Sequence, residues 1–202
     1  MQNTLYQKSN NKQEDDQEDD RELFREIAQG NKLAFEQFYV KYYQYLCRFA
    51  LTYEKDVYLV EENVSDVFYY IWQRREELGK IMNPKVYVFT MTKNRLFQHK
   101  KATQKNRMEL QFDAVEHKHY VPAIEEDIIR SEQEDDLRKA LLQIIDKIPP
   151  KSRRIFEMSR IDGLKYHQIA DILNLSVKTI ESHMHIALKT IALTLAKTNK
   201  IK

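Results

Sequence analysis

Turn-forming residues are scarce in this chain, which has 3 glycines and 4 prolines among its 202 residues. Multi-stranded sheets depend on tight turns built from these residues, so their scarcity favours helices joined by short loops. The length allows one large domain or two small ones. No apolar run approaches the roughly 18 residues of a membrane span, and no signal-peptide pattern follows Met1. We therefore expect an all-α, cytoplasmic protein.

Charge is segregated into blocks along the chain. Residues 12–22 and 125–136 carry seven acidic residues each, whereas 93–107 carry six Lys or Arg and no acid. From Lys178 to the end there are five lysines and one Glu. A single block is usually a solvated face, but two basic blocks on helical segments favour contact with a polyanion. The lone Cys47 excludes an internal disulfide and a cysteine-rich metal site.

Apolar residues at helical spacing predict four helices in a first domain, residues 21–102. Asn31 and Asp56 are expected caps of the second and third helices, and Pro84 suits the first turn of the fourth. The predicted helices, of which Gly30 and Gly79 end the first and third, are 21–29, 32–53, 57–78 and 84–101. The aromatic stripe of the second favours a core over a cofactor site. The acidic residues 1–20 lack apolar periodicity and predict disorder.

The second half of the chain predicts a linker and a second helical domain. Residues 103–130 show no apolar period, so we expect a flexible linker that is acidic towards its end. Ser131 begins a capping box, SEQE, at the start of a domain spanning 131–197. Two prolines at 149–150 separate its first two helices, and Gly163 ends the second. Its last two helices are predicted at about 165–174 and 176–197, followed by a basic tail, 198–202.

Those last two helices have the pattern of a helix-turn-helix, in KYHQIADILNLSVKTIESHM (165–184). The first helix of such a motif braces the second, which enters the DNA major groove. Apolar packing is expected from Ile169, Ala170, Leu173, Leu175, Ile180, Met184, Ala187 and Leu188. Hydroxyls and cations on the other face suit base edges and phosphates. The predicted DNA-binding residues are Ser176, Lys178, Thr179, Ser182, His183 and Lys189.

Two helices of the first domain carry residues that core packing does not explain. Glu62 and Asp66 form a like-charge pair four residues apart, which favours a basic partner, as does the nearby Tyr69. The fourth helix mixes aromatic residues with cations, which suits unpaired bases and their backbone. We expect Phe89 and Phe97 to be core. The candidates for nucleic-acid contact are Tyr87, Lys93, Asn94, Arg95, Lys100 and Lys101.

Three segments together resemble an alternative sigma factor of the extracytoplasmic-function type. They are VEENVSDVFYYIW (60–72), VYVFTMTKNRLFQHKK (86–101) and the stretch from IPPKSRRIF to HIALKTI (148–191). Each motif alone is weak, but their order and spacing are specific. The resemblance implies two helical domains joined by a linker, in the sigma-70 family of RNA polymerase subunits.

The resemblance also implies partners for each surface. The third helix would bind core RNA polymerase, and the family's polymerase-facing or supporting positions fall on Glu62, Asp66, Phe68 and Trp72. Phe68 and Trp72 are expected mainly to pack, and the nearby Tyr69 is a further expected contact. The fourth helix would melt and capture the −10 promoter element, with Asn94 at the family's usual Asn. The second domain would bind the −35 element as duplex. Such factors are often restrained by an anti-sigma factor, which is an expected partner here.

Departures from the family leave an alternative open. The chain has Ser65–Asp66 where the family often has Gln–Glu, Gln168 where Glu is usual, and Glu181 where a Lys is usual. The last change makes LSVKTIESHM similar to LuxR-type regulators, which bind duplex DNA without being polymerase subunits. The helical first domain argues against a receiver domain. Without a phosphate loop, metal cluster or nucleophile elbow, we expect no enzymatic activity, cofactor, metal or small-molecule substrate.

Overall fold

The computed structural model describes residues 17–104 and 142–198, with side chains for 17–98 and 142–196. The chain divides into two compact units, residues 1–110 and 111–202. Helices and short turns make up both described ranges, which contain no strand. The all-α prediction is therefore confirmed. No helix in these ranges has the length and apolar character needed to cross a membrane.

Within residues 17–104, the first unit has four α-helices and one short 3-10 helix. They are α1 (17–28), α2 (Lys32–Leu51), α3 (Val57–Gln73), the 3-10 helix (Arg75–Lys80) and α4 (Pro84–Gln104). Both predicted caps are present. Asn31 Oδ1 accepts from the amides of Leu33 and Ala34 at 3.0 and 3.3 Å, and Asp56 Oδ1 caps α3 in the same way.

In the first unit, three helix boundaries differ from the prediction by three residues or more. Helix α1 is already formed at residue 17, four residues before the expected start and inside the segment predicted to be disordered; residues 1–16 lie outside the described range. Helix α3 ends at Gln73 rather than at Gly79. The tighter 3-10 helix that follows contains Gly79 and buries Leu78. No Gly or Pro stands next to Gln73 to predict the earlier end of α3. Helix α4 continues to Gln104, past the predicted linker start.

Aromatic rings form the core of the first unit. Phe38 lies 4.8 Å from Phe24 and 4.6 Å from Tyr42 between ring centroids, so α1 packs directly on α2. Phe49 of α2 contacts Phe89 of α4 at 5.1 Å. Such tilted ring pairs add to the free energy gained by burying their area. The predicted stripe on α2 is therefore a packing surface, although Tyr45 at its edge is exposed.

The second unit contains the helical residues 142–146 (α5) and three further helices: α6 (Pro150–Arg160), α7 (Tyr166–Leu173) and α8 (Val177–Thr198). Pro149 and Pro150 open α6 as predicted. Arg153 of α6 is buried, and its guanidinium donates to Asp146 at 2.6 Å and Glu157 at 2.9 Å. This pairing removes the cost of an isolated buried charge and joins α5 to α6. The predicted capping box at Ser131 lies outside the described residues.

One face of α8 forms the core contact of the second unit, with Ile180, Met184 and Ala187 buried. Ile169, Ala170 and Ile172 of α7 are also buried. The prediction was wrong for Leu188, which is 46% exposed, and Leu175 is also exposed. Leu188 follows Ala187 directly, and one residue turns a side chain about 100° around a helix. It therefore points away from the face that holds Ala187.

Asp20 lies in the part of α1 that precedes the predicted helix start, and its side chain is buried. It is 2% exposed, and its carboxylate accepts a hydrogen bond from the Tyr42 hydroxyl and lies 2.7 Å from Lys41 Nζ. We expect Asp20→Ala to lower the free energy of unfolding by about 1–3 kcal/mol, because the Tyr42 hydroxyl loses this buried acceptor. Asp19→Ala, at an exposed position on the same helix, is the control. Equal urea midpoints for the two variants would contradict the buried role of Asp20.

Candidate nucleic-acid interface

The turn between α7 and α8 has the backbone of a helix-turn-helix. Asn174 adopts a left-handed conformation, with φ 56°. Its amide donates to the Ala170 carbonyl and so ends α7. Asparagine tolerates this conformation better than most residues with a side chain. Ser176 then caps α8, since its Oγ accepts from the Thr179 amide at 3.1 Å. The predicted cap is confirmed, and the first turn of α8 is fixed.

The outward face of α8 carries two exposed cations, Lys178 and Lys189. The hydroxyls between them are already engaged. Ser182 Oγ donates to the Lys178 carbonyl at 2.9 Å, and the Thr179 and Ser176 hydroxyls lie 2.8 Å apart. Because the Ser182 hydrogen is committed, its free lone pairs favour accepting from an amino group on cytosine or adenine.

His183 differs from these neighbours because it is half-buried. Its Nδ1 lies 3.0 Å from the hydroxyl of Ser152 on α6. Burial lowers the pKa of His183, and the nearby Lys151 lowers it further. The prediction that His183 simply points outward was therefore incomplete, since one ring nitrogen is turned towards the protein.

Gln168 occupies the position where the resemblance leads one to expect Glu. Its side chain is buried, and Oε1 accepts from the amide of Lys165 at 2.8 Å. A neutral amide oxygen therefore supplies the acceptor that a carboxylate would supply at the start of α7. The substitution keeps the start of the bracing helix intact without placing a charge in the buried site.

In the first unit, α3 presents a face with exposed tyrosines and the exposed carboxylate of Glu62. Tyr69 is 64% exposed, and Glu62 and Tyr58 are also exposed. Trp72 is half-buried; its ring lies 5.2 Å from Phe35 and 5.1 Å below the Arg75 guanidinium. Glu62 and Tyr69 are thus available to a partner, whereas Trp72 mainly packs.

Asp66 and Arg95 form an ion pair that joins α3 to α4. Arg95 Nε donates to Asp66 Oδ2 at 3.1 Å, and Nη2 donates to the same oxygen. The two side chains are 35% and 37% exposed. Sequence analysis assigned these residues to separate partners, polymerase and DNA, and missed their contact. Nothing in the local sequence pattern signals a pair 29 residues apart.

The remaining α4 candidates fall into different environments. Asn94 is exposed, as a base contact requires. Lys93 is only 7% exposed, and burial lowers the pKa of its ammonium, so the prediction of a surface cation there was wrong. Tyr87 is half-buried edge-on to Phe24 at 6.2 Å and takes part in packing. The side chains of Lys100 and Lys101 lie outside the described residues.

The two residues predicted to be core rather than DNA contacts on α4 both pack within the unit. Phe89 is buried. Phe97 is half-buried, with its ring centroid 5.6 Å from that of Tyr53. The face of α4 that remains for nucleic acid within the described side chains therefore centres on Asn94, with Arg95 beside it.

Comparison with known proteins identifies what the chain is similar to. Residues 138–191 match the family described as Sigma-70, region 4. Over 173 residues the chain is 23% identical to the ECF RNA polymerase sigma factor SigK of Mycobacterium ulcerans (strain Agy99), covering 83% of this chain and 88% of that protein.

Two solved structures share the fold. One is CnrH in complex with the cytosolic domain of CnrY, with a TM-score of 0.52 and 20% identity over 89% of this chain and 98% of that one. The other is the sigma factor RpoE of Bartonella quintana in complex with the anti-sigma factor NepR, with a TM-score of 0.51 and 17% identity over 80% of this chain and 96% of that one.

The geometry of α7 and α8 defines a helix-turn-helix protein with a second, separate helical unit. Two comparisons specify the kind of helix-turn-helix protein: the family match over residues 138–191 and the similarity that spans both units. Residues 138–191 match the Sigma-70 region 4 family, and over 83% of its length the chain is similar to an ECF RNA polymerase sigma factor.

The pairing of Asp66 with Arg95 is testable by a double-mutant cycle. We expect Asp66→Asn, Arg95→Gln and the double variant to reveal a coupling energy of about 0.5–1 kcal/mol, because the pair is partly solvent-screened. Urea unfolding of each variant in low salt measures this energy. Strictly additive single effects would mean that the two side chains do not interact in solution.

Proposed function

We propose that the chain is an alternative sigma factor that binds core RNA polymerase and directs transcription initiation from specific promoters. The observation that carries this proposal is the likeness to sigma factors across both units, rather than over the helix-turn-helix alone. In a LuxR-like regulator the likeness would stop at α7 and α8. We propose the sigma factor function in place of that alternative.

The second unit would bind the −35 element as duplex DNA. Helix α8 has the attributes of a recognition helix: a capped N-terminus, a buried apolar face and an exposed face with Lys178, Ser182 and Lys189. The positive end of the helix and Lys178 favour phosphates. Ser182 and Thr179 lie where base edges would pass, so they are the proposed determinants of sequence preference.

The first unit would bind polymerase through α3. Glu62 and Tyr69 are the proposed contacts, since both are exposed on a helix whose other face is core. An exposed carboxylate and an exposed aromatic ring about two turns apart on one helix suit a basic, partly apolar protein surface. Asp66 has a different proposed role: it holds Arg95, and it reaches polymerase only if that pair opens.

The part of α4 around Asn94 would capture the −10 element as single strand. Asn94 can bond a base edge, while Arg95 is held next to it by Asp66 and supplies a cation near the strand. Extruding a base costs a few kcal/mol, so these contacts must offset the loss of stacking and pairing. A prearranged Arg95 reduces the entropy lost on binding.

Regulation and location are part of the same proposal. The two solved relatives were captured as complexes, one with an anti-sigma factor and one with the cytosolic domain of CnrY. We propose that this chain acts in the cytoplasm and is likewise restrained by an anti-sigma protein. An anti-sigma protein that covers α3 or α8 would block polymerase or promoter directly.

Glu62→Lys tests the polymerase contact. We expect it to weaken binding to purified core polymerase roughly tenfold, or about 1.4 kcal/mol, because a cation replaces the anion facing a basic surface. Glu36→Lys makes the same charge change at an exposed position of α2 and serves as the control. Surface plasmon resonance measures both affinities. If the two variants bind equally well, α3 is not the contact helix proposed here.

Asn94→Ala tests strand capture separately from duplex binding. We expect a loss of roughly tenfold in open-complex formation, since a base-edge contact contributes about 1–3 kcal/mol. Gln98→Ala, which removes an exposed amide one turn later on α4, is the control. Permanganate reactivity of −10 thymines reports opening, and gel shift reports closed-complex binding. A parallel loss in both assays would count against a role in capture.

A further inference from the structure

Ser152 lies outside the helix-turn-helix but contacts its recognition helix. It belongs to the first turn of α6, it is 1% exposed, and its hydroxyl lies 3.0 Å from His183 Nδ1. No sequence motif marks Ser152 as functional. The contact therefore connects a buried residue of one helix to the DNA-facing helix of the proposed −35 reader.

The burial of Ser152 favours one direction of this hydrogen bond, from the hydroxyl to the ring. A buried hydroxyl that leaves its hydrogen unbonded loses free energy, so buried hydroxyls almost always donate. Among the described residues, Nδ1 of His183 is the acceptor within reach of Ser152. The hydroxyl accordingly donates to Nδ1, and a neutral imidazole that accepts there carries its proton on Nε2.

The environment of the ring supports the neutral form. Partial burial lowers the pKa of His183, with a further contribution from Lys151, and both effects favour the uncharged ring. His183 lies one turn beyond Thr179 and directly after the exposed Ser182. Its Nε2 has no protein partner among the described residues. The ring thus offers one N–H donor at the proposed DNA face of α8.

We propose that Ser152 is a positioning residue that fixes the ring orientation and tautomer of His183, so that Nε2–H donates to an acceptor on the promoter duplex. The acceptor is a purine N7 or O6, a thymine O4 or a phosphate oxygen. The inference rests on the proposed −35 duplex binding and adds a specificity element to it. Because the donor is neutral, it contributes affinity without the salt dependence of Lys178.

A mutant cycle on the full-length chain separates positioning from general stability. Duplexes recovered from a randomised pool by the wild-type chain serve as the probe, with affinities measured by fluorescence anisotropy. We expect Ser152→Ala to weaken binding roughly tenfold. The same change should have little effect in a His183→Phe background, where no nitrogen remains to orient. Ser152→Thr keeps the hydroxyl and should retain most of the affinity.

Nitrogen-15 NMR of the histidine ring reports its tautomer. This signal would not change if Ser152 only stabilised the fold. The wild-type ring should show the Nε2–H tautomer, and Ser152→Ala should show a mixture of tautomers. Duplexes with 7-deazapurines or single methylphosphonates distinguish a base acceptor from a phosphate acceptor. The salt slope of the His183→Phe variant should equal that of the wild type.

The outcomes discriminate between this inference and the proposed function. If the wild-type chain recovers no duplex, duplex binding and this inference both fail. If it recovers duplexes that Ser152→Ala binds as tightly as the wild type, only the role of Ser152 fails. An Nδ1–H tautomer in the wild type, or an equal loss from Ser152→Ala with and without His183, would also overturn the inference. Where Ser152→Ala does not fold, the wild-type tautomer and the His183→Phe affinity still decide it.

Discussion

Burial of one face of each site helix is the constraint on which the interfaces depend. On α8, Ile180, Met184 and Ala187 are in the core, and this alone fixes which of its residues can meet DNA. On α3 the buried Val60, Val64 and Val67 do the same. Because a helix rotates by about 100° per residue, a few buried anchors determine the direction of every other side chain. The free energy gained by this burial therefore also positions the functional surface.

Polar contacts between helices then decide which outward residues are free to bind. Asp66 of α3 forms an ion pair with Arg95 of α4, and Ser152 of α6 forms a hydrogen bond with His183 of α8. Of these contacts, the Asp66–Arg95 pair is partly exposed, so its replacement by a partner costs little free energy. They also reduce the number of side-chain rotamers that binding has to freeze. The interface is thus partly prearranged before any partner arrives.

The sequence was sufficient for those features that depend on periodicity and caps. Asn31, Asp56, Pro150 and Ser176 mark helix starts because a cap is a local interaction, complete within four residues. The buried faces of α3 and α8 follow from the 3.6-residue period for the same reason. Within the described residues, these helix starts and buried faces are therefore readable from local signals.

Features that depend on contacts between distant residues were not predictable. The burial of Lys93 and the exposure of Leu188 depend on how neighbouring helices pack, and the sequence around each suggested the opposite. Asp20 was assigned to a disordered segment because its acidic surroundings hide one long-range contact with Tyr42. The Asp66–Arg95 and Ser152–His183 contacts likewise join residues about 30 positions apart, where no pattern links them.

The central claim is that one chain both recruits polymerase and selects the promoter. Run-off transcription tests it most directly, with purified core polymerase, the purified chain and linear fragments of its native genome as template. The account predicts transcripts of discrete length that appear only when core polymerase and the chain are both present. Binding of the chain to these fragments, together with an unchanged transcript pattern when it is added to core polymerase, would contradict the account.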